Sequence, residues 1–191
     1  MPKILAFAGS TRKDSLNKKL VKIAALGAES AGATVTVIDL ADYLMPIFNQ
    51  DLESEQGMPE KGHEFKNLLI EHDGFLIASP EYNSAFSPLL KNVIDWASRA
   101  ESKDEPPLIA YKGKVAAIMA TSPGALGGLR GLVFLRMLLG NIGVTVIPDQ
   151  VAVPQAMKAF SEDDSLIDEK QQQVIIDLGE KLSKIAIQLN A

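Results

Sequence analysis

Five short apolar segments alternate along the chain with longer segments of helical periodicity. The apolar segments are Ile4–Ala8, Thr34–Ile38, Gly74–Ala78, Lys114–Thr121 and Val144–Ile147. A strand that is covered on both faces is expected to be apolar at almost every position. Strands that alternate with helices predict a parallel sheet with a layer of helices on each face. With right-handed crossovers, five such strands predict the order 2-1-3-4-5 in a three-layer α/β sandwich.

The segments between these strands contain five predicted helices and two long polar loops. The helices are predicted at Ser15–Ala31, His63–His72, Pro88–Ala100, Leu129–Asn141 and Asp168–Leu189. Gly32 is expected to end the first helix. Ser87 is expected to cap the third helix, with Pro88 at its first position. The long loops are expected at Asn49–Gly62 and Glu101–Lys112.

Composition limits the kinds of protein that this chain can be. A length of 191 residues fits one α/β domain spanning the whole chain, 1–191. The sequence has no cysteine, which excludes disulfides, thiolate catalysis and cysteine-ligated metals and fits a reducing compartment. The net charge is −5 with both signs interspersed, so no basic stripe for nucleic acid is expected.

No targeting or membrane segment is expected. The apolar run Ile4–Ala8 follows Lys3, but it is too short for the apolar core of a signal peptide, which needs about 7–15 residues. Arg136 and Asn141 interrupt the most apolar long stretch, so no segment is expected to span a bilayer. The expectation is a soluble, cytoplasmic protein without a membrane partner.

Metal and hydrolase chemistry have little support in the sequence. The two histidines, His63 and His72, are too far apart for a metal pair and are expected to be solvated. The sequence contains neither HExxH nor GxSxG. We therefore expect no metal site and no dedicated catalytic acid, base or nucleophile.

The stretch from Gly9 to Asn17, the first loop, joins the first strand to the first helix. A helix N-terminus offers unpaired N–H groups and a positive dipole end, and both favour an anion. Hydroxyl, amide and guanidinium donors are added by Ser10, Thr11, Arg12, Ser15 and Asn17. The stretch is neither GxGxxG nor GxxxxGK[ST]. It predicts an anion site, with the alternative of an ordinary turn in which Ser15 only caps the helix.

Two further loops stand out by their composition, the second by its polar residues and the third by its glycines. The second loop, Ser79–Phe86, follows the third strand, and the third loop, Ser122–Gly128, follows the fourth strand. In open parallel sheets, ligands bind beyond the carboxyl ends of the strands, where the strand order reverses. The three loops are therefore expected to meet and form one site.

The second loop and the helix after it carry a recognisable motif. The run from Pro80 to Trp96, PEYNSAFSPLLKNVIDW, resembles the PEYN…LKNxxDW motif of the NAD(P)H-dependent FMN reductases. This flavodoxin-like family includes bacterial quinone and chromate reductases. The first loop resembles the family's GSxRxxSxN loop, and the run from Thr121 to Gly128 is similar to its third loop.

The resemblance implies a non-covalent FMN and a set of residues that bind it. The FMN phosphate would lie on the first loop, and the flavin ring against the second loop with the third loop on its pyrimidine side. The cofactor-binding residues implied are Ser10, Arg12, Ser15, Asn17, Pro80, Glu81, Tyr82, Asn83, Ser122, Gly124 and Gly127. NADPH or NADH would be the co-substrate, with Arg12 and Lys13 as candidate partners of a 2′-phosphate.

The implied function is that of an oxidoreductase. A hydride would pass from NAD(P)H through flavin N5 to a small-molecule acceptor such as a quinone or chromate, by a ping-pong mechanism. Two alternatives stay open: a flavodoxin-type electron carrier, and a non-enzymatic flavin or nicotinamide sensor. Carriers flank the ring with aromatic residues, and the candidates for that role are Tyr82, Phe86 and Tyr111.

The fourth predicted helix, Leu129–Asn141, is apolar on nearly every side apart from Arg130 and Arg136. Excess apolar surface marks an interface, and the resembled family forms dimers and tetramers. A homodimer or homotetramer through the third and fourth helices is therefore expected, with a buried helix in a monomer as the alternative. On the third helix, Asp95 and Arg99 are expected to pair, and Trp96 to pack in the core.

Overall fold

The computed structural model describes residues 1–189, which form five strands and seven α-helices. The strands are β1 (Lys3–Ala8), β2 (Thr34–Val37), β3 (Gly74–Ala78), β4 (Val115–Thr121) and β5 (Thr145–Val153). The helices are α1 (Leu16–Ser30), α2 (Gln50–Gln56), α3 (Glu60–Glu71), α4 (Pro88–Ala97), α5 (Leu129–Asn141), α6 (Ala156–Ala159) and α7 (Glu169–Leu189). A 3₁₀-helix spans Leu40–Tyr43. Within this described part of the chain, no helix combines the length and the apolar character needed to cross a membrane.

The sheet has the predicted order, β2-β1-β3-β4-β5, and every neighbouring pair is parallel. Residues from Gly74 to Ala78 are all buried, as are those from Val115 to Thr121. This burial explains why these strands are apolar at nearly every position. The predicted α/β sandwich with its flavodoxin-like topology is confirmed.

Alternate residues of the strands contribute to two cores. Ile4, Ala6 and Ala8 face α1 and α7, whereas Leu5 and Phe7 face the side of α3, α4 and α5. The helices α1 and α7 approach closely because Gly27 of one and Gly179 of the other lie at their crossing. A methyl group at either glycine would run into the main chain of the opposite helix.

The prediction of one long loop at Asn49–Gly62 was wrong. This segment contains α2 and the first residues of α3. The side chain of Asn49 caps α2 by accepting a hydrogen bond from the Asp51 N–H, at 2.8 Å. None of the α2 residues is buried, so the helix has no apolar face that hydrophobic periodicity could reveal.

Both histidine predictions need correction. His72 is buried, not solvated, with its Nδ1 at 2.7 Å from the Leu68 carbonyl oxygen and its Nε2 at 2.8 Å from the Thr36 hydroxyl. His63 is half-buried, and its Nδ1 lies 2.7 Å from a carboxylate oxygen of Glu101. Both rings therefore have protein partners.

The third predicted helix, now α4, ends at Ala97 rather than Ala100. The expected pair on this helix was wrong: Asp95 binds Lys91 at 2.6 Å, and Arg99 instead binds Glu53 of α2 at 2.7 Å. Trp96 is fully buried, as predicted, and its indole N–H donates to the Pro46 carbonyl oxygen at 2.8 Å.

The last strand is longer than the predicted Val144–Ile147, because β5 continues to Val153 past an irregularity opposite Ala116 and Ile118. Arg136 of α5 fills this irregularity. Its guanidinium donates to the carbonyl oxygens of Val146, Ile147 and Pro148 at 2.8–3.3 Å and to the Gln150 side chain at 3.0–3.1 Å. The arginine thus satisfies main-chain groups that the bulge leaves without strand partners.

Replacing Arg136 should show how much its hydrogen bonds to the edge strand β5 contribute to the free energy of unfolding. Arg136→Met keeps the apolar stem but removes all of these donors. We expect the free energy of unfolding, measured by urea titration, to fall by about 1–3 kcal/mol. The control is Lys184→Met, which removes only an exposed pair with Glu180 on α7 and should change stability by less than about 0.5 kcal/mol. Equal stabilities of the two variants would contradict the role assigned to Arg136.

Candidate functional site

The three loops leave the carboxyl ends of β1, β3 and β4, and hydrogen bonds join them. The Gly9 N–H donates to the Ala78 carbonyl oxygen at 2.9 Å, which ties the first loop to the end of β3. The Ser87 hydroxyl donates to the Gly9 carbonyl oxygen at 2.6 Å and caps α4 by accepting from the Leu90 N–H. The cap predicted for Ser87 is confirmed.

Ser15 precedes α1, but it does not act as the expected side-chain cap. Its backbone is extended, its hydroxyl makes no capping hydrogen bond, and the residue is only 4% exposed. The carbonyl oxygen of Ser15 accepts the first helical bonds, from Lys18 and Lys19. The hydroxyl is therefore available to a ligand at the N-terminus of the helix.

The electrostatics of the first loop favour an anion. No acidic residue occupies the first turn of α1, although Asp14 directly precedes the N-cap residue Ser15. Ser10 is buried, and its hydroxyl accepts from the Arg12 N–H at 3.3 Å. The Arg12 side chain is exposed and, among the ion pairs within residues 1–189, it takes part in none. The loop that leads into α1 thus carries hydroxyl donors and an exposed cation.

Asn17 lies one residue into α1, and its side chain is committed to the fourth strand. Its amide nitrogen donates to the Thr121 carbonyl oxygen and its amide oxygen accepts from the Thr121 N–H, both at 3.0 Å. Asn17 is 5% exposed and Thr121 is 3% exposed. The Asn17 side chain, which was predicted to bind the anion, instead links the first loop to the start of the third loop.

The second loop has an exposed tip. Tyr82 and Ala85 exchange two main-chain hydrogen bonds, at 2.8 and 3.1 Å, and enclose Asn83 and Ser84. These two residues have positive φ angles of 50° and 71°, which asparagine tolerates better than most residues. Within the described part of the chain, their N–H groups have no protein acceptor. Tyr82 is 52% exposed, and Pro80 is half-buried.

The side chain of Glu81 does not face the open side of the second loop. It is 8% exposed, and its carboxylate accepts from Arg130 at 2.6 and 2.9 Å and from the Gly131 N–H at 3.2 Å. A carboxylate at the N-terminal end of α5 is stabilised by the helix dipole. The residue as a whole is half-buried, so its exposure lies mainly in the main chain.

The third loop is attached to the end of β5. The Ser122 carbonyl oxygen accepts from the Ala156 N–H at 3.0 Å, and that of Gly124 accepts from the Gln155 N–H at 3.2 Å. Gly127 is buried with φ 61°, and a Cβ there would lie 2.6 Å from the Val153 carbonyl carbon. Gly127 is therefore required for packing of the loop.

Gly124 differs from Gly127 because its surroundings are open. A Cβ at this position would meet only the Ser122 hydroxyl, 3.8 Å away. The residue is exposed, as are its neighbours Pro123 and Ala125. Packing within the chain does not require a glycine here, which leaves close approach of a ligand as a reason for it.

Of the predicted aromatic residues, only Tyr82 is well exposed at the site. Phe86 is half-buried and lines a shallow cavity of about 390 Å³ with Phe134 and Met137 of α5. Tyr111 is buried, and its hydroxyl donates to the Ile94 carbonyl oxygen at 3.0 Å. Burial raises the pKa of Tyr111 well above its usual range. The prediction that Tyr111 could flank a flavin ring was therefore wrong.

Several residues that shape the site were not identified from the sequence. Arg130 and Gly131 hold Glu81, and Thr121 holds Asn17. The opposite charges of Glu81 in the second loop and Arg130 at the start of α5 could have suggested their ion pair. The contact of Asn17 is with main-chain atoms of Thr121, which every residue type has, so the sequence could not indicate it. Across residues 1–189, no three histidine or acidic side chains are grouped as a metal would require.

Comparisons with known proteins show the family to which the chain belongs. Residues 2–158 match the model of a family described as NADPH-dependent FMN reductase. The chain is 32% identical over 174 residues to an NAD(P)H-dependent FMN reductase of Pseudomonas aeruginosa, covering 91% of this chain and 89% of that protein. It is 35% identical over 166 residues to a 2-hydroxy-1,4-benzoquinone reductase of a Burkholderia species, covering 87% and 82%.

A solved structure is similar over almost its full length. FerB from Paracoccus denitrificans, described as a flavoenzyme NAD(P)H:(acceptor) oxidoreductase, superposes with a TM-score of 0.80 at 29% identity and 98% coverage of both chains. The resemblance carried by the three loops is thereby confirmed. The chain belongs to the NADPH-dependent FMN reductase family and is an oxidoreductase enzyme, with FMN and NAD(P)H as the family's cofactors.

Proposed function

We propose that the protein oxidises NAD(P)H and passes the electrons to a quinone, chromate or a similar small acceptor in a ping-pong reaction. When bound, FMN would supply the chemistry by taking a hydride at N5 and delivering it to the second substrate. The observation that carries this proposal is the meeting of three loops at one edge of the sheet, with an uncapped helix N-terminus among them. The names of the relatives support quinones as the acceptor class.

The donors of the first loop suit the FMN phosphate. The hydroxyl of Ser15 has no capping partner, and Ser10 is a second buried hydroxyl residue of the same loop. The guanidinium of Arg12 is free to close over an anion. The N–H groups of Leu16 and Asn17, which open α1, have no acceptor among the residues that the structure describes. We propose that these groups hold the phosphate.

The flavin ring would lie on the exposed main chain of the second and third loops. The free N–H groups of Asn83 and Ser84 are candidate donors to the polar edge of the ring. Glu81 would contribute through its main chain, since Arg130 and Gly131 occupy its carboxylate. The open surface at Gly124 would let the ring approach closely. This proposal requires no acid or base from the protein.

An oligomer is also part of the proposal, and α5 supports it. Val133, Phe134 and Met137 of this helix are 59%, 45% and 65% exposed. Phe134 and Met137 line a shallow cavity together with Ala85 and Phe86, so this apolar surface adjoins the second loop. We propose that a homodimer or homotetramer in the cytoplasm covers this surface through α4 and α5.

The role of Ser15 can be tested through FMN affinity. Ser15→Ala removes a hydrogen bond to a charged phosphate, which contributes about 1.5–3 kcal/mol, so FMN should bind about 10–150-fold more weakly. The measurement is a flavin fluorescence titration. The control is Ser54→Ala on α2, whose hydroxyl binds only the Gln50 carbonyl oxygen. An unchanged dissociation constant for Ser15→Ala would remove Ser15 from the site.

The reaction itself can be tested by rapid mixing. The protein loaded with FMN should lose the visible absorbance of its flavin rapidly when mixed with NADPH or NADH, and a quinone should restore it. Steady-state rates at several quinone concentrations should give parallel double-reciprocal lines. Slow or absent bleaching would favour an electron carrier or a sensor, and intersecting lines would exclude the ping-pong order.

The proposed interface can be tested by adding a charge. Met137→Glu lies on an exposed position, so it should fold normally but disfavour burial of α5 against a second copy. Sedimentation velocity should show a shift from oligomer to monomer. The control is Val174→Glu, an exposed apolar residue of α7, which should leave the oligomer intact. A monomeric wild type, or a Met137→Glu variant with unchanged assembly, would reject this interface.

A further inference from the structure

We propose that Asn17 is a positioning residue that holds the third loop for the flavin ring, and that it does not grip the phosphate. This inference rests on the proposed function, because it assigns a role within the same FMN site. It differs from the expectation drawn from the first loop, in which Asn17 was one of four phosphate-binding residues.

The need for Asn17 arises where the ladder between β3 and β4 ends. The last main-chain bond of this ladder runs from the Ser79 N–H to the Met119 carbonyl oxygen, at 2.9 Å. In a parallel ladder, alternate residues of a strand face the same neighbour, so Thr121 faces the side of β3 as Met119 does. Pro80 follows Ser79 and the chain turns away, which leaves both main-chain groups of Thr121 without a strand partner.

The Asn17 carboxamide replaces that partner. Its oxygen accepts from the Thr121 N–H and its nitrogen donates to the Thr121 carbonyl oxygen, both at 3.0 Å. Both residues are at most 5% exposed. A buried main-chain N–H or carbonyl group without a partner is strongly unfavourable. The position therefore needs one donor and one acceptor in a fixed arrangement, as an asparagine provides.

The third loop begins directly after Thr121, so this link sets its position from the side of α1. From the other side, the loop is held by β5: the Thr121 hydroxyl donates to the Val153 carbonyl oxygen at 2.9 Å. Ser122 and Gly124 accept from Ala156 and Gln155. Without Asn17, the loop would keep its attachment to β5 but lose its attachment to the first loop.

Ser15 gives a matched comparison because it lies at the same helix end and is equally buried, at 4% exposed. Its hydroxyl makes no capping hydrogen bond, whereas the Asn17 side chain is bound on both polar atoms. The two residues should therefore act on different parts of the same ligand: Ser15 on the phosphate and Asn17, through the third loop, on the ring.

Binding of FMN and of riboflavin, which lacks the phosphate, separates the two roles. Dissociation constants are measured by fluorescence titration for the wild type, Asn17→Ala and Ser15→Ala. Asn17→Ala should lower the affinities for FMN and for riboflavin by a similar factor, about tenfold or more. Ser15→Ala should lower the affinity for FMN and leave the affinity for riboflavin unchanged. If Asn17→Ala lowers the affinity for FMN but not the affinity for riboflavin, Asn17 is a phosphate ligand and the inference is wrong.

Failure of the proposed function has a different signature. A wild-type protein that binds neither flavin would reject the FMN site as a whole, whereas the inference is judged by the ratio of the two affinities. Visible circular dichroism of FMN at saturation adds a second readout. The signal should change in Asn17→Ala, where the ring environment is altered, and match the wild type in Ser15→Ala. A signal unchanged by Asn17→Ala would contradict a role in ring positioning.

A conservative variant keeps the inference testable if Asn17→Ala does not fold. In Asn17→Asp, the protonated carboxyl group has one O–H donor and one acceptor, the same pattern as the amide, and it loses the donor on ionisation. Riboflavin affinity of this variant should rise towards the wild-type value as the pH falls through the pKa of that carboxyl. The wild-type affinity should stay constant over the same range. A variant whose riboflavin affinity does not change with pH would overturn the inference.

Discussion

The parallel pairing of β3 with β1 and with β4 is the constraint on which the candidate site depends. It brings the carboxyl ends of three strands to one edge, with Ala8 opposite Ala78 and Ala78 opposite Met119. Each strand then continues into a loop, and the loops become neighbours although they are far apart in the sequence. The proposed ligand site follows from this register, because no single loop supplies both a place for an anion and a surface for a flat ring.

Hydrogen bonds to main-chain groups connect the loops where the ladders end. Ser87 reaches Gly9, Asn17 reaches Thr121, and Glu81 reaches Gly131. Each bond satisfies a main-chain group where regular pairing or a helix leaves it open. The side chains that are used in this way are not free for a ligand. Donors that stay available in the described residues include the Ser15 hydroxyl, the Arg12 guanidinium and the N–H groups of Asn83 and Ser84.

Much of the fold could be predicted from the sequence because burial leaves a periodic pattern. The strand order, the helices that pack on the sheet and the family were all predicted and confirmed. The helix α2 was missed because it buries no residue, and the second half of β5 because its polar edge residues resemble a loop. For the site, residue types indicated which loops matter. They could not show that Asn17 binds Thr121, since the contact is to main-chain atoms 104 residues away.

We propose that the first loop binds the FMN phosphate while Asn17 keeps its bonds to Thr121. The most direct measurement is a crystal structure of the protein grown with FMN. We expect the phosphate within hydrogen-bond distance of the Ser15 hydroxyl and the N–H groups that open α1. The Asn17 carboxamide should lie where it does now, with the ring on the second and third loops. A phosphate bound elsewhere, or an Asn17 side chain turned from Thr121 to the phosphate, would contradict this proposal.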